Sequence, residues 1–161
     1  MLHGYLGSGK TTYAKKLEKE WGAIRFTSDE WMSKLYGDDP PEERFENYQS
    51  NVLSLMEIYW SRMLEKGVDV ILDLGFWSRD YREDTKRKIE AVGGVAKLYH
   101  LSASEDEMRR RCEKRNKDLK GSLHIATNTF EVLKMKYEPL GEDEEFETIN
   151  SEQVDEKEYK K

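Results

Sequence analysis

Gly4-Tyr5-Leu6-Gly7-Ser8-Gly9-Lys10-Thr11 reads GYLGSGKT and satisfies the pattern G-x-x-x-x-G-K-[ST] at every position. Each residue type has a physical reason to be there. Glycines at 4, 7 and 9 permit positive φ and let bare backbone approach a ligand, so successive N–H groups can turn toward phosphate oxygens. Lys10 offers a point charge for β- and γ-phosphates and Thr11 a hydroxyl for Mg²⁺, while a helix starting here adds its own N–H groups and positive dipole end. The expected nucleotide contacts are Gly4, Tyr5, Leu6, Gly7, Ser8, Gly9, Lys10, Thr11 and Thr12. Such a loop should follow a buried parallel strand, yet only Met1, Leu2 and His3 precede it, short of the usual length of about five residues. The native first strand is expected to extend upstream of Met1, and a chain lengthened there to be more stable. His3 reads as a strand residue rather than a ligand.

The 161 residues suit one domain with a real core, expected to span the whole chain. Lys and Arg number 27 against 33 Asp and Glu, a net charge of -6, so the protein as a whole repels nucleic acid and anionic membrane. A small-molecule partner is favoured and nucleic acid disfavoured; oligomeric state is not legible. Cys112 has no second cysteine to pair with, which fits a reducing cytosol. No apolar run approaches a membrane span and no signal-peptide layout opens the chain, so a soluble, cytoplasmic protein is expected.

Along the chain, helical and strand periods alternate. Tyr13, Ala14, Leu17 and Trp21 mark the inward face of a first helix closed by Gly22, and Ala23 to Phe26 reads as a buried strand. Ser28 or Asp29 then caps a brief helix, which puts Asp29 at a strand's carboxyl end, where open α/β sheets hold their ligands. Phe45 to Met63 carries the apolar stripe of a long helix ending at Gly67; Arg44, Tyr48 and Asn51 on it are candidate pocket residues. Val68 to Asp73 is the best strand, and its terminal acid is the expected Mg²⁺ partner, directly or through water. Arg79 and Arg82, at the head of the next helix, are candidate substrate contacts. Val95 to Leu101 is a further strand, with His100 a strand residue. Ser104 to Glu107 forms a capping box for a helix on which Arg111 and Arg115, spaced i, i+4, share one face, as two fingers on a phosphate chain require. Arg109 and Arg110 point elsewhere, solvated or paired with Glu105, Glu107 or Glu113. A lid is expected over about 111–127, its polar stretch Asn116 to Ala126 mobile. A helix from Asn128 to Tyr137 and a strand from Phe146 to Asn150 follow; Asn150 would lie beside adenine, and 151–161 form a charged tail.

GYLGSGKTT, TSDEW, VILDLGFWSR, RRRCEKRN and the YEP turn together resemble the P-loop small-molecule kinases that include chloramphenicol phosphotransferase, the zeta toxins and phage polynucleotide kinase, and most closely the AAA-type ATP-binding kinases. The resemblance implies a P-loop NTPase three-layer α/β/α sandwich with a five-stranded parallel sheet, nucleoside-kinase-like, with a helical lid. It implies ATP and Mg²⁺ as cofactors and Asp29 as the base that takes a proton from an acceptor hydroxyl. Lys10 and Thr11 would then serve phosphates and Mg²⁺, Asp73 would be the strand-three acid, and Arg111 with Arg115 the lid pair. Polynucleotide kinases carry an Arg soon after the base, whereas Glu30-Trp31-Met32-Ser33 follow Asp29 here. The leading expectation is therefore transfer of the ATP γ-phosphate to a small-molecule hydroxyl, with Asp29, Arg79 and Tyr48 toward the acceptor. The alternatives are a polynucleotide 5′-hydroxyl kinase and an ATP-binding switch with little turnover. No Asn-Lys-x-Asp guanine signature is present, which favours ATP over GTP.

Overall fold

In the computed structural model, which describes residues 1–117, 123, 125 and 129–153, strands and helices alternate from the first residues onward. Leu2–His3 form β1, Lys10–Trp21 α1, Ile24–Thr27 β2, Ser28–Tyr36 α2, Glu42–Glu65 α3, Val70–Asp73 β3, Arg79–Ala91 α4, Tyr99–Ser102 β4, Glu105–Lys117 α5, Thr129–Lys134 α6 and Glu147–Asn150 β5. Every strand pairing is parallel: β2 with β3, β1 with β4, and β4 with β5. A single bridge from His3 to Gly75 joins the two groups, so the order across the sheet is 2-3-1-4-5 with the phosphate-loop strand central. Parallel strands require crossovers, and the helices supply them.

Alternation along β2 and β3 sends successive side chains to opposite faces. Phe26 and Leu72 enter one core with Met32, Val52, Met56, Trp60 and Ile89, while Ile71 enters another with Leu2, Ala14 and Leu17. Two cores on two faces make the three-layer sandwich. Met56 and Trp60, one turn apart on α3, are fully buried, and burying each such side chain stabilises by roughly 1.5–3 kcal/mol.

β1 is short but firmly held. Leu2 and His3 are fully buried, paired in register with Tyr99 and His100 and bridged to Gly75 on the other side. Central position compensates for length. The β4 run is shorter than its alternation suggests, starting at Tyr99 rather than Val95, because Tyr99 is the first residue opposite β1; Val95 is exposed. β3 likewise begins at Val70, not Val68. Trp21 is half exposed instead of inward, its ring tilted against Tyr99. Of the expected lid, 111–117 belong to α5, and Leu123 and Ile125 are buried in separate clusters. Asn116 clamps Ile125 from both sides, its Nδ2 donating to the carbonyl at 2.6 Å and its Oδ1 accepting from the N–H at 3.0 Å. The rest of that stretch, and the tail beyond Gln153, lie outside the described residues.

His3 is the polar member of the central strand. Its Nδ1 lies 3.0 Å from His100 Nδ1 and its Nε2 3.3 Å from the Glu138 carbonyl, with the Tyr137 ring stacked 4.9 Å away. Burial, then His100, then Arg82 push its pKa down to about 4. The ordinary value is near 6.5, so the neutral imidazole is what folding selects; the stability is complete above about pH 6.5 and is lost as pH falls toward 4. At ~1.4 kcal/mol per unit this amounts to about 3 kcal/mol. The urea midpoint is expected to fall through that window, and to fall less in His3→Asn; equal slopes would place the acid sensitivity elsewhere.

Candidate active site

The phosphate loop turns directly into α1, with Gly9 as its N-cap in the left-handed region (φ 93°) and no side chain capping the helix. The first-turn N–H groups are therefore left for a ligand. Gly7 (φ 75°) lies under α5, where a Cβ would strike the Met108 carbonyl, so packing as well as ligand approach demands glycine there. The loop is braced from the β3–α4 turn, where Trp77 Nε1 donates to the Gly4 carbonyl at 2.9 Å. Lys10 Nζ donates to the Tyr5 carbonyl at 2.9 Å.

Thr11 Oγ1 donates to Asp73 Oδ2 at 2.6 Å, the pairing expected of a metal-facing hydroxyl and its strand-end acid. Asp73 is only 4% exposed. Burial raises its carboxyl pKa, opposed by the Lys10 charge and the Thr11 hydrogen bond. Burial likewise lowers the Lys10 ammonium, opposed by Asp73 and then Asp29. Each charged form is held by the other. Asp29, half-buried in the first turn of α2, thus acts electrostatically on both, and the structure gathers Lys10, Thr11, Asp73 and Asp29. The cap of α2 differs from expectation: Thr27, extended at φ −126°, occupies the N-cap, and Ser28 and Asp29 are already helical.

α5 crosses the loop and splits the roles of its two arginines. Arg111 donates to Glu107 at 2.7 Å, to the Gly7 carbonyl at 3.3 Å and to Ser151 Oγ at 2.8 Å, so it ties the loop to the end of β5. Arg110 and Arg111 hold the Glu107 carboxyl down at about 2. Arg115, one turn on, influences Lys10, and its Nε and Nη2 are buried with no partner among the described residues. Cys112 between them is a buried helix residue whose thiol burial raises. Arg109 pairs with Glu105 and Glu131, and Arg110 with Glu107, as their faces suggested. The Ser104 box is half-formed: its Oγ accepts from Glu107 N–H at 3.4 Å, but its own N–H goes to Glu152.

Other candidates are placed differently. Arg82 is no substrate contact: 2% exposed, it donates to both oxygens of Glu144 and to the carbonyls of Phe76, Trp77 and Glu138. Arg79 is engaged by Glu83 and Asp143. Tyr48 stacks on Tyr36 at 3.8 Å, packing α3 on α2, while Arg44 and Asn51 face solvent. Asn150 turns its Oδ1 back to the Glu152 N–H, leaving Ser151 to meet Gly9 and Arg111. Sequence reasoning missed Trp77 and the hydroxyl of Thr27; only the TSD run after β2 hinted at the latter. A cavity of about 200 Å³ beside β4 shares only Tyr5 with the expected site residues.

Among the described residues, the buried side-chain polar atoms without a partner are Ser8 Oγ and Arg115 Nε and Nη2. A hydroxyl on the loop and two donors of a guanidinium whose charge acts on Lys10, unanswered among the described residues, fit a polyphosphate between loop and α5. Sheet order, loop and paired acid together define a P-loop NTPase fold of the kinase type. The chain belongs to the AAA domain family, whose profile matches residues 1–159. Similar solved structures share the fold: Chaetomium thermophilum Kti12 in complex with ADP-AlF3 (TM-score 0.70, 18% identity, covering 98% of this chain and 91% of that one); a sugar kinase from a Janibacter species (0.65, 19%, 98% and 87%); and a gluconokinase from Sinorhizobium meliloti (0.61, 15%, 92% and 79%). No curated protein matches the sequence significantly. No helix among the described residues is long and apolar enough to cross a membrane.

Proposed function

We propose that the protein transfers the γ-phosphoryl group of ATP to a hydroxyl of a small molecule. The observation that carries the reading is Asp29: a nucleotide-binding loop alone has no use for a second carboxylate, yet Asp29 stands in the first turn of α2, just past the end of β2, where its charge reaches both Lys10 and Asp73. The acceptor oxygen forms the new bond to phosphorus as the bond to the β–γ bridging oxygen breaks, and the acceptor proton passes to the Asp29 carboxylate. Lys10 and Arg115 offset the charge on the transferring group, and the uncapped start of α1 holds the remaining phosphates. Thr11 and Asp73 would hold Mg²⁺, which when bound neutralises phosphate charge. A small, uncharged acceptor is favoured over a nucleic-acid end by the net charge of -6 and by the engagement of Arg79 and Arg82 with Asp143 and Glu144.

Asp29→Asn is expected to abolish transfer while retaining ATP binding. The measurement is a mass-spectrometric screen of a metabolite extract for a compound that gains phosphate with the wild-type protein and not with the variant. An acceptor phosphorylated equally by both would remove Asp29 from the mechanism.

A further inference from the structure

Arg25 and Thr27 lie on β2 and have no part in the chemistry above. Arg25, 11% exposed, donates from Nε to Glu18 at 3.1 Å, from Nη2 to Glu30 at 3.0 Å and from Nη1 to the Thr27 hydroxyl. A guanidinium has donors only, so the Thr27 oxygen must accept, and its single proton is left to point onward. It points at Asp73 Oδ2, 3.3 Å away, the same oxygen that Thr11 reaches at 2.6 Å. Thr27 is directly opposite Asp73 in the β2–β3 register, so this contact is set by the sheet rather than by a loop. At its other end Arg25 grips Glu30, the residue beside Asp29 in the first turn of α2. One side chain therefore connects the turn that bears Asp29 to the strand end that bears Asp73.

We infer that Arg25 and Thr27 are positioning residues, orienting Asp73 and the Asp29 turn for the Mg²⁺-bound nucleotide; the inference rests on the metal reading of Asp73 given above. Stability alone explains the arrangement poorly. Ion pairs taken out of water contribute little net stability, and a strand accepts an apolar residue at either position. What an apolar pair cannot supply is a hydroxyl proton of fixed direction. Held from Thr11 on α1 and Thr27 on β2, the Asp73 carboxylate has one oxygen immobilised from two elements.

The test compares the affinity of a fluorescent ATP analogue with Mg²⁺ and with EDTA. Thr27→Val, which keeps shape and strand preference, should lower the Mg²⁺-dependent gain about tenfold, as loss of an outer-shell partner does, leave the affinity in EDTA unchanged, and be reversed by Thr27→Ser. Arg25→Gln should act in the same direction, and Arg25→Lys should not restore the gain because a point charge cannot bridge three partners. Asp73→Asn separates the two layers. If Asp73→Asn retains the Mg²⁺-dependent gain, the metal reading fails and this inference fails with it. If Asp73→Asn loses the gain while Thr27→Val and Arg25→Gln keep it whole, the inference alone is overturned.

Discussion

Replacing Arg115 by Met will weaken binding of ADP–aluminium fluoride about 100-fold more than binding of ADP, the size of effect seen when one preorganised donor to a transition state is removed. The ligand-free protein will at the same time become more stable. Both follow from the same two atoms. Among the described residues, Arg115 Nε and Nη2 are buried without partners and the Arg115 charge acts on Lys10, so in the absence of a ligand those two atoms carry an uncompensated desolvation penalty. Unsatisfied buried donors cost about 1–3 kcal/mol, and Met fills the space without them. With a planar, negatively charged group between loop and α5 those donors are answered, and the charge is largest during transfer. Equilibrium urea unfolding and analogue titration check the two halves separately. A variant less stable than wild type in the absence of nucleotide would show that Arg115 is answered by the protein itself, and the assignment would be wrong.

The second large effect is on stability alone. Arg82→Met is expected to lose about 3–5 kcal/mol, the usual consequence of deleting one partner of a buried ion pair, and to lower the calorimetric midpoint by about 10 °C. Arg82 is 2% exposed, and its Nε and Nη2 meet Glu144 at 2.6 and 2.7 Å. Its Nη1 reaches the carbonyls of Phe76, Trp77 and Glu138 at 3.1 to 3.3 Å. Without it the carboxylate and those carbonyls lose their donors together. The damage should spread to the phosphate loop, because Trp77 Nε1 holds the Gly4 carbonyl and Glu138 N–H holds the Trp77 carbonyl. Glu144→Gln, which keeps one hydrogen-bond acceptor, should cost less. A loss under 1 kcal/mol for Arg82→Met would mean that solvent replaces these bonds.

The phosphate loop and the alternation of strands and helices were legible because their signals are local. A glycine cradle is a backbone requirement written in adjacent residues, and periods of two and 3.6 need only a short window. The positions of Asp29 and Asp73 were legible for a related reason: Asp73 ends β3, Asp29 lies in the first turn after β2, and parallel strands deliver their carboxyl ends to one edge. The arginines were not. Arg79, Arg82, Arg111 and Arg115 all sit on helix faces that sequence spacing can orient only relative to their own helix. What each one meets depends on segments far away in the chain: Asp143, Glu144 and Ser151 for the first three, and no described partner atom for Nε and Nη2 of the fourth.

By itself the sequence determined a phosphate loop after the first strand, a parallel sheet, an acid at the end of β3 and another just past the end of β2, since these follow from nearest-neighbour geometry along the chain. Tertiary structure alone decided which cations remain for a ligand. It buried Arg82 as a brace, spent Arg111 on tying the loop to Ser151, and left two donors of Arg115 unanswered among the described residues. It also aligned Thr27 with Asp73 across β2 and β3. The reason is that a charged side chain's role is set by the partner that satisfies it, and that partner is chosen by packing between elements rather than by the residues beside it.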